Sequence, residues 1–257
     1  MSTEKSTESP ENHDLEQPVE YGRLLDIAEG RAEVDPAAFA ELPRVVACMD
    51  ERARVGEPVI GFAGSGVLVT ADQRQRFVAK VKAMGIDPAR LQITYHEECG
   101  AASIFCETNP GLTPAEAAER AADSLKSAAG FEAPVAKIGW SDDARYRALG
   151  RPDRHHARVV YIDFTGRFDP EAVGLPDGFL ISAAYSPDHE YLRREVTLAQ
   201  DIAAGRHGRG ADYFRKNGPL LLTIVSVDPD TDLKSLGDSL EHRSDITRTI
   251  FIEPGIK

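Results

Sequence analysis

Three side chains with metal-binding chemistry sit in two short segments, Cys48-Met49-Asp50-Glu51-Arg52 and His96-Glu97-Glu98-Cys99-Gly100. Two thiolates and one imidazole form a normal shell for a catalytic zinc ion, with the fourth position left to water or substrate. A His-x-x-Cys pair reaches one ion from a single strand-to-helix turn, and Cys48 can add a third ligand from a neighbouring strand end. A carboxylate such as Asp50 beside that ion either takes the open position or accepts a hydrogen bond from bound hydroxide. Arg52, as a bidentate partner, would hold Asp50 ionised and aimed. Alternation along an extended chain places Cys48, Asp50 and Arg52 on one side. The plainer reading makes the cysteines small buried hydrophobes and Asp50–Arg52 a surface ion pair worth little.

The elements that must position these residues follow from hydrophobic pattern. Arg44 to Met49 and Leu91 to Tyr95 are apolar runs with strand character, each ending at one of the two segments. In a parallel sheet both segments then lie at carboxyl ends of strands, where ligand sites of open α/β folds collect. Apolar spacing at Phe77, Val78, Val81 and Met84 predicts a helix from Ala71 to Met84, stopped at Gly85. Thr113-Pro114-Ala115-Glu116 opens another helix, running to about Ala129. A helix is expected after Cys99, and short helices around Tyr21 to Arg31 and Pro36 to Glu41. A second apolar stretch, Pro58 to Thr70, is interrupted by Gly61, Gly64 and Gly66; further strands are expected over His156 to Phe164, Phe179 to Tyr185 and Leu220 to Val227, with a helix from Glu190 to Ala204 and a loop from Gly205 to Gly210. Strands alternating with helices predict an α/β fold with a mostly parallel central sheet. No internal repeat or linker is evident. The expected organisation is an acidic disordered tail over residues 1–20 and a single zinc-binding domain over 21–257.

Cys-x-Asp-x-Arg followed by His-x-x-Cys-Gly resembles the β-class carbonic anhydrases, over roughly residues 42–170. The Gly-rich segment Gly61-Phe62-Ala63-Gly64-Ser65-Gly66 and the later strand and turn Val159 to Gly166 resemble further parts of that family. The resemblance implies that Cys48, His96 and Cys99 bind Zn2+. It further implies that Asp50 and Arg52 form the orienting dyad, and that a zinc-bound hydroxide hydrates CO2 to bicarbonate. It also implies an apolar pocket built across a homodimer or higher even assembly, for which Phe62 and Tyr95 are candidates. The chain departs from the pattern at Glu51, where the family usually carries serine, at Glu98, at Ser65, and beyond about residue 175, where the C-terminal elements have no counterpart. Two alternatives accompany the resemblance: hydrolysis of carbonyl sulfide or CS2 on the same site, or a zinc-binding interaction protein without turnover.

Composition narrows the remaining classes. A formal charge of −12 argues against nucleic acid as partner, because phosphate binding needs basic patches. No run is long and apolar enough to span a membrane. Three cysteines in an odd set make no disulfide framework, and the N-terminal residues lack a secretory pattern, so a reducing cytoplasm is the expected location. Cys48-x5-Arg54 matches a cysteine-phosphatase spacing, but Asp50 and Glu51 would repel phosphate inside that loop. Cys106 falls on the Cys99 face of a helix, where a buried thiol is expected. His155 and His156 precede a strand and could shuttle protons, although a surface position is the plainer expectation for both.

Overall fold

The computed structural model describes residues 18–53, 58–96, 99–129, 135–138, 155–206, 208–227, 231–240 and 242–254. Its strands are short. Val45–Cys48 (β1), Val59–Phe62 (β2), Gln92–His96 (β3) and Val135–Ile138 (β4) form one parallel sheet in the order β2-β1-β3-β4. Val159–Asp163 (β5), Phe179–Ile181 (β6), Leu220–Val225 (β7) and Thr247–Ile252 (β8) form a second, in the order β6-β5-β7-β8. β1, β2, β5, β6 and β7 are buried along their whole length. Parallel pairing requires crossovers, and double-faced burial explains why VVAC and LLLTIV are continuously apolar.

The helices are Pro18–Ala28 (α1), Ala71–Ala83 (α2), Gly100–Thr108 (α3), Pro114–Ala129 (α4), His189–Ala204 (α5), Ala211–Asn217 (α6) and Thr231–Leu240 (α7). α2 begins at a capping box between Thr70 and Gln73, and α5 at the Asp188 carboxylate, which accepts the Tyr191 N–H. No helix among the described residues is long and apolar enough to cross a membrane.

One expectation changes here. The single central sheet is two sheets, and the second has the same strand order and direction as the first. Each half runs strand, edge strand, short 3-10 turn (Ala63–Gly66; Ala183–Tyr185) and side-chain-capped helix before its last two strands; two helices, α3 and α4, lie between those strands in the first half, whereas the second has α6 before β7 and α7 alone between β7 and β8. The topology is therefore repeated although the sequence is not, and the C-terminal elements are a second copy of the layout rather than an appendage. α1 starts at Pro18, and residues 1–17, most of the expected tail, lie outside the described residues.

The halves meet along their edge strands. The Leu180 N–H donates to Met49 O at 2.9 Å and the Ser182 N–H to Gly61 O at 3.1 Å. The Gly61 N–H returns a bond to Ser182 Oγ at 2.9 Å. A Cβ at Gly61 would lie 2.0 Å from Leu180 O, so only glycine allows this approach. One hydrophobic cluster, holding Cys48, Val67, Cys99 and Ala102 from the first half and Phe179, Leu192 and Val196 from the second, fills the space between them.

Candidate metal centre

β1 and β3 are neighbours, and the chain leaves β1 for the edge strand on one side and returns as β3 on the other. Their carboxyl ends therefore flank a topological switch point, the usual ligand crevice of an open α/β sheet. Cys48 is the last residue of β1 and His96 the last of β3. Cys99 is the N-cap of α3, so the strand-to-helix turn delivers two donors to the same place.

One donor atom from each of Cys48, His96 and Cys99 lies within 4.8 Å of the other two, and all three residues are buried. The two sulfurs are 3.9 Å apart. Two sulfurs bound tetrahedrally to one ion at about 2.3 Å stand about 3.8 Å from each other, so the donor set and its spacing fit a single metal ion.

The protein also prepares the sulfurs. The Gly64 N–H donates to Cys48 Sγ at 3.2 Å. The Cys99 thiol is held below its ordinary value by a hydrogen bond from Cys48 and by the Ala102 and Ala101 N–H groups at the start of α3. Burial pushes the Cys48 thiol up instead. A bound cation would favour the thiolate form of both.

Asp50 is buried beside the donors, its Oδ2 3.7 Å from His96 Nε2. The expectation that extended alternation would align Cys48, Asp50 and Arg52 does not hold, because β1 ends at Cys48 and Glu51–Ala53 is a 3-10 turn. Asp50 reaches the site through that turn; the Arg52 side chain lies outside the described residues, as do Glu97 and Glu98.

Three further residues complete the surroundings. His155, expected at the surface, is 5% exposed. Its Nδ1 lies 3.1 Å from Glu51 Oε2 and 3.5 Å from Asp50 Oδ1, and its ring packs against Phe179 with centroids 5.2 Å apart. Glu51 Oε1 accepts the N–H groups of His156 at 2.9 Å and Ala157 at 3.4 Å. Glu51 thus clamps the segment leading into the second half and sets His155 beside Asp50. Asp50, Glu51 and His155 also come close enough together to hold a cation, but Glu51 is already engaged by backbone donors. Glu195, from α5, is fully buried, and its Oε2 accepts the Ala63 N–H at 2.5 Å. No local sequence signal ties Glu51 to His155, whereas Glu195 could have been noticed as a carboxylate on the apolar stripe of α5.

The other candidates fall outside this centre. Phe62 is a core ring, edge-on to Phe77 and Tyr191. Tyr95 is half-buried and donates its hydroxyl to Glu119 at 2.7 Å. Cys106 is a half-buried free thiol.

No protein-family model, curated protein or solved structure matches the chain.

Proposed function

We propose that the chain hydrates carbon dioxide to bicarbonate at a zinc ion held by Cys48, His96 and Cys99, on a β-carbonic anhydrase-like architecture. The observation that carries this reading is the convergence of the three donors within 4.8 Å, with the Asp50 carboxylate beside them. Thiolate and imidazole donors at tetrahedral spacing favour zinc over magnesium, calcium or manganese, which prefer oxygen shells. When bound, zinc supplies a Lewis acid that brings the pKa of water to about 7.

The chain's own residues do the rest. Asp50 turns Oδ2 toward the metal-binding donors, where it can accept a hydrogen bond and orient the attacking oxygen. His155 Nδ1 faces both Glu51 Oε2, at 3.1 Å, and Asp50 Oδ1, at 3.5 Å, so the ring stands between the two carboxylates. Met49, Ala63, Val67 and Ala102 are buried in the same apolar cluster as both cysteines. Such a wall admits an uncharged linear substrate without hydrogen-bonding it and keeps bulk water out.

Stopped-flow CO2 hydration by zinc-loaded protein tests the proposal, with Cys48→Ser as the blank. A rate above buffer that disappears in the variant supports it. A wild-type rate no faster than buffer at neutral and alkaline pH overturns it.

A further inference from the structure

The second half of the chain contributes no sulfur or imidazole to the three-donor cluster, yet it touches the turn that serves one of the donors. Tyr191, Leu192, Glu195, Val196 and Ala199 make the buried stripe of α5. Four of these suit a core; a carboxyl group does not, because burying it costs several kcal/mol unless it is hydrogen-bonded. Burial pushes the Glu195 carboxyl up to about 7. Its Oε2 accepts the Ala63 N–H at 2.5 Å, and the Tyr191 side chain interacts with the same carboxyl.

Ala63 opens the 3-10 turn after β2, and the next amide, Gly64 N–H, is the one that donates to Cys48 Sγ. That turn is unusual. Gly64 (φ 55°, ψ 36°) and Ser65 (φ 53°, ψ 32°) are both left-handed. For Ser65 this costs about 1–2 kcal/mol. Something must therefore hold the turn in place. Ser65 Oγ does so on one side by donating to Thr94 O in β3, and Glu195 does so on the other. The arrangement has little slack, since a Cβ at Gly64 would stand 3.4 Å from Cys99 Sγ and 2.7 Å from Val67 Cγ1.

We propose that Glu195 is a positioning residue of the metal centre: by gripping the Ala63 amide it aims the Gly64 N–H at the Cys48 sulfur, and so sets metal affinity from the opposite half of the chain. The inference rests on the reading that Cys48, His96 and Cys99 hold the ion. An N–H bond to a ligand thiolate stabilises its charge and fixes its direction, and such outer partners carry about 10–100-fold in metal affinity.

The test compares wild type, Glu195→Gln and Glu195→Leu, titrated with Co2+ and with Zn2+ against a chromophoric chelator. Gln keeps a carbonyl that can accept the Ala63 N–H, so its affinity should stay within about 3-fold of wild type. Leu has no acceptor, so affinity should fall about 10–100-fold, and the thiolate-to-cobalt absorption band should move. Leu binding as tightly as wild type with an unmoved band would overturn the proposal, as would equal losses in Gln and Leu. Should the Leu variant fail to fold, NMR of the 113Cd-loaded wild type decides: a Gly64 amide proton coupled to cadmium through sulfur, with a strongly downfield Ala63 amide proton, supports the role. Absence of either signal contradicts it. A wild type that binds metal without hydrating CO2 leaves these ratios readable, so the two readings fail separately; a wild type that binds no metal removes both.

Discussion

The ends of β1 and β5 occupy the same place in two copies of one topology, yet they are built for opposite purposes. β1 ends in Cys48, whose sulfur faces another sulfur, a histidine and a carboxylate. β5 ends in Asp163, which is equally buried but closes on its own turn. Its Oδ1 accepts the Thr165 N–H at 2.8 Å and the Thr165 hydroxyl at 2.6 Å, and its Oδ2 accepts the Phe168 N–H at 3.2 Å. The Tyr185 hydroxyl donates to Gly166 O and seals the same turn. One strand end keeps donor atoms facing one another across a buried space; the other spends them on the backbone. The topology thus offers a crevice twice, and among the described residues the side chains gather donors that could hold a metal ion at only one of the two.

That contrast can be broken most severely at the sulfurs. Cys48→Ser or Cys99→Ser should abolish stoichiometric zinc uptake, measured by metal analysis after dialysis, whereas Asp163→Asn should leave the stoichiometry unchanged. Asp50→Ala should keep the metal and lower the CO2 hydration rate about 100-fold, the usual scale for removing one group that orients a reacting atom. Loss of metal together with the rate would place Asp50 in the ligand shell instead.

Glu195 links the halves and gives the contrast a pH dependence. Its folded-state value of about 7 lies above the ordinary 4.5, because burial disfavours the carboxylate. A raised value means that its contribution is fully present below about pH 4.5 and is lost as pH rises through about 7. At about 1.4 kcal/mol per unit this amounts to about 3 kcal/mol. Urea melts of the metal-free chain at pH 5 and pH 8 should show that loss in wild type and a smaller one in Glu195→Gln. Equal losses would show that the carboxyl does not titrate across this window.

The smallest effect is expected at the closed strand end. Asp163→Ala should cost about 2 kcal/mol in urea unfolding by stranding the Thr165 and Phe168 N–H groups, with metal affinity unchanged. A change in affinity there would mean that the two strand ends are coupled.

The sequence made the metal side of this contrast legible and hid the other. Cys48, His96 and Cys99 could be brought together on paper because each segment ends or follows a run with strand character, and parallel strands put such ends on one edge. α2, α4 and α5 were legible for similar reasons, through caps and apolar spacing. β8 was not: Thr-Arg-Thr-Ile-Phe-Ile alternates burial as an edge strand and gives no continuous run. α6 and α7 are only 7 and 10 residues long, too short for a strong periodic signal. Without β8 and α7 the second sheet was incomplete, and the repeated topology could not be recognised. Glu51 and His155 stand 104 positions apart and meet only through tertiary packing, which no local pattern encodes.

The central claim is that Cys48, Cys99 and His96 share one ion, and zinc-edge X-ray absorption of the loaded wild type tests it most directly. Two sulfur scatterers near 2.3 Å and one imidazole nitrogen near 2.0 Å, at one zinc per chain, are the predicted result. A shell of oxygen and nitrogen alone, or one sulfur in place of two, would contradict it.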